Sequence, residues 1–160
     1  MTASAPSDPD SVHRLLVTRG LTVAVAESLT GGLLSAALTR SPGSSATFRG
    51  GLVVYATDLK ARLADVAQPL LDAQGPVSAD VAQALANGAR RKLSADLGLG
   101  ITGVAGPDPV GDHPAGTVFL AVAGADTGAV SRLVLAGSRS EIREAAVAEA
   151  LRLLVSVICS

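Results

Sequence analysis

The sequence predicts an α/β fold, a three-layer α/β/α sandwich around a mixed, mostly parallel sheet. Strand and helix patterns alternate along the first part of the chain, which is typical of parallel strands joined by helices. Two adjacent strand patterns around residue 125 predict a hairpin, which adds antiparallel pairing at one edge of the sheet. Of the 160 residues, 48% are hydrophobic and 17% are charged, so the chain can bury one core of ordinary size.

The first half of the chain shows two strand patterns, each followed by a polar segment and a helix pattern. Asp8 and Pro9 signal the start of a first helix and Gly20 signals its end, since an acid and a proline favour helix starts and glycine favours helix ends. The further elements predicted here are a strand at 22–26, a turn at 27–32 with a helix after it, a strand at 51–55 and a short helix at 57–64.

The second half predicts one long helix, a strand, a hairpin and a final helix. Ser78 is a helix cap, and apolar residues at four-residue spacing extend the helix pattern over 78–97. Ser138 followed by Glu141 is a capping box that starts the last helix. The remaining predicted elements are a strand at 99–102, a loop at 103–115 and hairpin strands at 116–123 and 130–136.

Composition excludes several classes of function. The formal net charge is −1, and one Tyr and two Phe are too few to form base-stacking platforms, so we expect no nucleic-acid partner. Cys159 is the only cysteine, which excludes an internal disulfide and Cys-ligated zinc. Since the only imidazoles are those of His13 and His113, we expect no metal and no cofactor.

The ends and hydropathy of the chain indicate a cytoplasmic protein. The small, polar, proline-containing start predicts a flexible tail over residues 1–9, with a single domain over 10–160. No apolar run reaches the ~18 to 20 residues of a membrane span, so no membrane association is expected.

Three polar segments follow predicted strands, at 27–32, 55–60 and 102–108. In α/β sheets, ligands bind outside the carboxyl ends of the strands, so these segments are expected to converge on one site. The G-x-G-x-x-G pattern at 98–103 is not a dinucleotide fingerprint, because a helix precedes it and a proline-rich loop follows it. We interpret its small residues as a strand that packs closely under helices.

Ser28 is the candidate nucleophile. It lies at a strand-to-helix turn beside Gly31 and Gly32, where backbone N–H groups can hold an oxyanion or a phosphate. The alternative is that Ser28 merely caps the helix. The candidate bases are Lys60, one of only two lysines, and His113, which lies beside Asp112.

Arg139 and Arg143 share one face at the start of the last helix. Arginine there runs against the helix dipole, which hints at an anionic ligand. The alternative is a solvated pair balanced by Glu141 and Glu144.

Several motifs, taken together, resemble one family. They are AESLTGG at 26–32, YATDLK at 55–60, GPVS at 75–78, TGVAGPD at 102–108, PAGTV at 114–118 and GSRSEIR at 137–143. Their order and spacing are similar to those of the CinA C-terminal-domain family, and the resemblance runs from about residue 10 to 158. The enzymatic members of that family are nicotinamide-nucleotide amidohydrolases.

The resemblance implies metal-independent hydrolysis of the carboxamide of nicotinamide mononucleotide to nicotinate mononucleotide and ammonia, in pyridine nucleotide salvage. It implies Ser28 as nucleophile, Lys60 as base, and Tyr55 as a residue that orients the pair or relays a proton. Arg143, with Arg139, is expected to face the phosphate. The substrate-binding residues implied are Thr30, Gly31, Gly32, Thr102, Gly103, Ala105, Gly106, Arg139 and Arg143.

The resemblance also implies a homo-oligomer and a small-molecule nucleotide as substrate. The family usually has Cys at the position of Leu29, a side chain that we expect to pack inward. The alternative function is a non-catalytic nucleotide-binding or partner-binding module of the same fold.

Overall fold

The structure, a computed structural model, describes residues 7–160, so the first six residues of the predicted tail lie outside the described residues. The helices are α1 (Pro9–Arg19), α2 (Leu33–Leu38), α3 (Thr57–Ala64), α4 (Gln68–Gln74), α5 (Ala79–Lys92) and α6 (Arg139–Cys159). The strands are β1 (Val23–Glu27), β2 (Phe48–Val53), β3 (Leu97–Gly103), β4 (Thr117–Ala123) and β5 (Gly128–Val134).

The strands form one five-stranded sheet in the order β2-β1-β3-β4-β5. The central strands β1 and β3 are parallel to each other, and β2 is parallel to β1. The hairpin strand β4 is antiparallel to both of its neighbours, β3 and β5. The mixed sheet is therefore confirmed, with β4 as the strand that runs against the other four.

Helices cover both faces of this sheet, which confirms the three layers. On one face α1, α2 and α6 pack on side chains such as Val25, Leu99 and Leu120. On the other face α3, α4 and α5 pack on Ala24 and Ala26, while α5 also covers part of β4.

The glycines of β3 have the packing role that the sequence indicated. A Cβ atom at Gly98 or Gly100 would overlap backbone carbonyl oxygens of α5, at Ala86 and Ala82 respectively. Only glycine lets the strand and the helix approach this closely. The G-x-G-x-x-G pattern at 98–103 is therefore a packing feature.

Several predicted boundaries are corrected. The helix predicted over 78–97 ends at Lys92, because Ser94 takes a left-handed conformation (φ 53°) and Leu97 already pairs with β1. The strand predicted at 51–55 starts earlier and ends at Val53, since its pairing with β1 begins at Phe48. Helix α4 was not predicted. The start of α1 predicted at Asp8 and Pro9 is confirmed, so Pro9, at the end of the tail predicted over 1–9, belongs to the helix.

Asp8 caps α1 by accepting a hydrogen bond from the Ser11 amide, and Ser138 with Glu141 forms the predicted capping box of α6. No helix between residues 7 and 160 is long and apolar enough to cross a membrane.

Candidate active site

The three polar segments converge at the carboxyl ends of β1 and β3, as predicted, around a cavity of about 390 Å³. Ser28 directly follows β1, Lys60 belongs to α3, and Thr102 lies near the end of β3. The full set of lining residues is Ser28, Leu29, Tyr55, Thr57, Lys60, Pro76, Val77, Thr102, Gly103, Val104, Ala105, Gly106, Asp108, Pro109, Val110 and Arg139.

Ser28 and Lys60 form a buried hydrogen-bonded pair. The Lys60 Nζ atom lies 3.0 Å from the Ser28 Oγ atom. The lysine is 1% exposed and the serine 7% exposed. The backbone fixes the serine as well, because its amide donates to the Ile101 carbonyl of β3 at 3.0 Å.

Lys60 also donates to two backbone carbonyls, those of Val54 at 2.8 Å and Tyr55 at 3.3 Å. An ammonium group uses three N–H donors, which these three oxygens match. A neutral amine could keep both carbonyl contacts and turn its lone pair toward the serine hydroxyl. The same geometry therefore suits both protonation states.

Burial lowers the pKa of Lys60 from 10.5 to about 8. No carboxylate forms an ion pair with this lysine among the described residues, so desolvation of the charged form is unopposed. A lysine with a pKa near 8 is partly neutral at physiological pH. It can therefore accept a proton there, which a surface lysine cannot.

The Lys60 pKa predicts how stability changes with pH. The unfolded chain keeps its Lys60 proton up to about pH 10.5, whereas the folded chain releases it near pH 8. Between these values the unfolded state binds more protons, so the free energy of unfolding should rise with pH, by at most ~3 kcal/mol. Urea denaturation of wild type and Lys60→Met from pH 7 to 10.5 measures the difference; parallel curves would show that Lys60 titrates normally.

Tyr55 and Arg139 form the rim of the cavity. The Arg139 guanidinium donates to the Tyr55 hydroxyl at 3.0 Å and to the Gly106 carbonyl. Tyr55 is 59% exposed, so its ring stands at the mouth of the cavity rather than in the core. The Tyr55 hydroxyl accepts a hydrogen bond from Arg139, whereas the Tyr55 backbone carbonyl accepts one from Lys60.

The third side of the cavity is the end of β3 and the loop after it. The Thr102 hydroxyl donates to the Pro76 carbonyl at 2.7 Å, which ties the segment before α5 to the sheet. Gly103, Ala105 and Gly106 line the cavity, as the resemblance implied.

Thr30, Gly31 and Gly32, which are predicted to bind substrate, are not among the residues that line the cavity. The Gly32 amide donates to the Glu27 carboxylate at 3.3 Å, and the Gly31 amide donates to the Ser28 carbonyl at 3.1 Å. The amides of Leu34 and Ser35, in the first turn of α2, also donate to Glu27. The amides of Gly32, Leu34 and Ser35 therefore already donate to a carboxylate of the protein itself, and the Gly31 amide donates to a backbone carbonyl.

Arg143 is likewise not a lining residue. Its guanidinium donates to the Leu29 carbonyl at 2.8 Å and to the Thr30 carbonyl at 3.3 Å. Arg143 lies on the same face of α6 as Arg139 but one helical turn further along, where it contacts the backbone that follows Ser28. Arg143 therefore supports the backbone of that turn, while Arg139 faces the cavity.

His113 and Asp112 are not at the site. The His113 ring packs edge-on against Phe119, with centroids 5.7 Å apart, and neither residue lines the cavity. His13, on α1, has its Nδ1 atom 3.0 Å from the Thr47 hydroxyl. Of the two candidate bases, the structure brings only Lys60 to Ser28.

Leu29 is 3% exposed, which confirms that its side chain packs inward. Sequence reasoning missed Glu27, a fully buried carboxylate. The available signal was an acid at the end of a strand whose other residues are all apolar. Within residues 7–160, no cluster of three or more His, Cys, Asp or Glu side chains could hold a metal ion.

Fold and site together define a class: an α/β sandwich with a buried serine–lysine pair in a cavity at the carboxyl ends of its strands. Comparison with known families places the chain further, because the profile of the CinA C-terminal domain matches residues 7–158. The chain belongs to the CinA C-terminal-domain family.

Relatives agree with this membership. A CinA-like protein of Frankia casuarinae is 53% identical over 88% of this chain, and one of Anaeromyxobacter is 50% identical over 91%. The matched parts are 32% and 36% of those two proteins, so the chain spans about one third of their length.

Solved structures share the whole fold. A CinA superfamily protein of Klebsiella pneumoniae superposes with a TM-score of 0.91 at 29% identity, covering 96% of this chain and 95% of that one. A competence/damage-inducible protein of Agrobacterium tumefaciens has a TM-score of 0.88 at 33% identity, covering 99% of this chain and 100% of that one.

Proposed function

We propose that this chain hydrolyses the carboxamide of nicotinamide mononucleotide to nicotinate mononucleotide and ammonia, without a metal, as a step of pyridine nucleotide salvage. The observation that carries the proposal is the 3.0 Å contact between Lys60 Nζ and Ser28 Oγ at the wall of an open cavity. Burial lowers the pKa of Lys60 to about 8, so the lysine can take the proton of the serine hydroxyl that it contacts and thereby activate the serine as a nucleophile. The resemblance to amidohydrolases supplies the substrate class.

The reaction has two halves. Neutral Lys60 takes the Ser28 proton as Oγ bonds to the carboxamide carbon, and Lys60 then returns that proton to the departing nitrogen, which leaves as ammonia. Water next attacks the Ser28 ester and gives one proton to Lys60, which passes that proton to Oγ as the C–Oγ bond breaks. Ser28 and neutral Lys60 are thereby restored, and the acid product loses its remaining proton to solvent and leaves as the carboxylate. The Leu29 amide follows the nucleophile and is our candidate donor to the oxyanion.

The charges around the cavity suit this substrate. Arg139 lines one side and can donate charge-assisted hydrogen bonds to a phosphate. Asp108 lines the cavity as well and can balance the cationic pyridinium or accept from ribose hydroxyls. A cavity of about 390 Å³ falls within the size range of small-ligand sites.

Ammonia release from a panel of amides tests the proposal. Nicotinamide mononucleotide, nicotinamide riboside and glutamine are incubated with purified protein in buffer with and without EDTA. We expect the mononucleotide to be turned over fastest and at the same rate in both buffers. Loss of turnover in EDTA with recovery on adding one divalent ion would contradict the mechanism, and tight binding with no ammonia would indicate the non-catalytic module.

Alanine variants of Arg139 and Arg143 on α6 should differ in which kinetic constant they change. Arg139→Ala should raise KM for the mononucleotide by about tenfold or more, since a charge-assisted hydrogen bond contributes about 1.5–3 kcal/mol. It should change the riboside much less. Arg143→Ala should instead lower kcat for both substrates equally, because Arg143 contacts only the turn behind Ser28.

Steady-state kinetics of the two variants, each with the mononucleotide and with the riboside, measure these changes in KM and kcat. A phosphate-selective loss in Arg143→Ala, with none in Arg139→Ala, would contradict the placement of the phosphate beside Arg139.

A further inference from the structure

The Glu27 carboxylate is fully buried, with 0% of its surface exposed. No lysine, arginine or histidine forms an ion pair with it among the described residues. A buried carboxylate without a counter-ion is strongly unfavourable unless hydrogen bonds stabilise it. The groups that donate hydrogen bonds to Glu27 therefore indicate which part of the structure the carboxylate stabilises.

Five hydrogen bonds reach this carboxylate, and all come from the segment that directly follows Ser28 in the chain. One oxygen accepts from the Thr30 hydroxyl at 2.7 Å and from the amides of Gly32 and Leu34 at 3.3 and 2.9 Å. The other oxygen accepts from the Ser35 amide at 3.0 Å and its hydroxyl at 2.7 Å. Glu27 thus folds residues 30–35 back over the end of its own strand.

The turn that folds back begins at Ser28, and further backbone features close it. Gly31 and Gly32 take positive φ angles of 54° and 105°, which let the chain reverse within the turn. The Gly31 amide closes the turn on the Ser28 carbonyl at 3.1 Å. The Glu27 carboxylate accepts hydrogen bonds from this turn, and the Arg143 guanidinium donates to its carbonyls at Leu29 and Thr30, so two side chains stabilise it.

We infer that Glu27 is a positioning residue, whose carboxylate fixes the turn that holds Ser28 Oγ at hydrogen-bond distance from Lys60. The inference rests on the proposed function, in which Ser28 is the nucleophile. Glu27 does not line the cavity, so it acts through the serine and not on the substrate.

Glu27→Gln keeps the shape of the side chain but places an amide NH2 among hydrogen-bond donors. The matched control is Asp96→Asn. Asp96 is a carboxylate that accepts from the Thr22 amide and hydroxyl, both at 2.8 Å, at the opposite end of β1. Both variants remove a strand-end carboxylate, but only Glu27→Gln disturbs the serine turn.

The probe is a fluorophosphonate, which labels an activated serine whether or not the substrate has been identified correctly. Intact mass spectrometry gives the rate and the final extent of labelling, peptide mapping confirms Ser28, and circular dichroism gives the folded fraction. We expect Glu27→Gln to reach full labelling about a hundredfold more slowly than wild type, since a displacement of about 1 Å has an effect of this size. Asp96→Asn should label at the wild-type rate.

The folded fraction distinguishes positioning from general destabilisation, because reversible unfolding lowers the labelling rate only in proportion to that fraction, whereas a misplaced serine lowers the rate of the folded protein itself. Equal rates in wild type and folded Glu27→Gln, or an equal slowing in Asp96→Asn, would overturn the inference and leave the proposed function standing. A wild-type chain that is not labelled at Ser28 would overturn both. If Glu27→Gln does not fold, Thr30→Val removes one donor at constant shape, and wild-type labelling of that variant overturns the inference.

Discussion

Ser28→Ala should lower kcat for nicotinamide mononucleotide by about four orders of magnitude or more, equal to ~5.5 kcal/mol of barrier. The variant lacks the oxygen that bonds to the carboxamide carbon, and no other hydroxyl contacts Lys60 among the described residues. The cavity walls are otherwise unchanged, so the mononucleotide should still bind. Ammonia release measures kcat, and isothermal titration calorimetry measures Kd.

Ser156→Ala is the matched control for this variant. Ser156 is exposed on α6, where its hydroxyl donates only to the Leu153 carbonyl within the same helix. It should keep full activity. An active Ser28→Ala protein would show that water attacks the amide without a serine ester.

Lys60→Arg should be nearly as inactive as Ser28→Ala. Arginine keeps the positive charge but cannot lose its proton near neutral pH, so it cannot serve as a base. The wild-type kcat should rise with pH up to about 8, the pKa to which burial lowers Lys60.

Lys92→Arg is the control here, since Lys92 is the only other lysine and forms a surface ion pair with Asp65 at 3.0 Å. Its kinetics should match wild type. A Lys60→Arg enzyme that keeps more than about a tenth of wild-type kcat, a loss under ~1.4 kcal/mol, would exclude Lys60 as the base.

Hydrophobic periodicity predicted the three layers and the hairpin, because each depends on residues close together in the sequence. Periodicity failed where tertiary contacts determine whether an element forms or where it begins. Helix α4 is short and contains Pro69, so its pattern was too weak to recognise. Strand β2 contains Gly50 and Gly51, which have low strand propensity, and its pairing with β1 determines its start at Phe48.

At the site, the sequence predicted that Ser28, Tyr55, Lys60 and Thr102 would come together, because each follows or ends a strand of one sheet. It could not separate Arg139 from Arg143, since equal helix spacing does not say which guanidinium reaches the cavity. The sequence also could not show that amides after Ser28 donate to the Glu27 carboxylate, because those hydrogen bonds depend on how the turn folds back.

Interception of the acyl group by hydroxylamine tests the serine–lysine mechanism most directly. If Ser28 carries the acyl group, hydroxylamine added during turnover of nicotinamide mononucleotide should compete with water for the ester. The hydroxamate should then replace nicotinate mononucleotide in proportion to the hydroxylamine concentration, without slowing ammonia release, and Ser28→Ala should form none. Undiminished ammonia release with nicotinate mononucleotide as the sole product at every hydroxylamine concentration would contradict the mechanism.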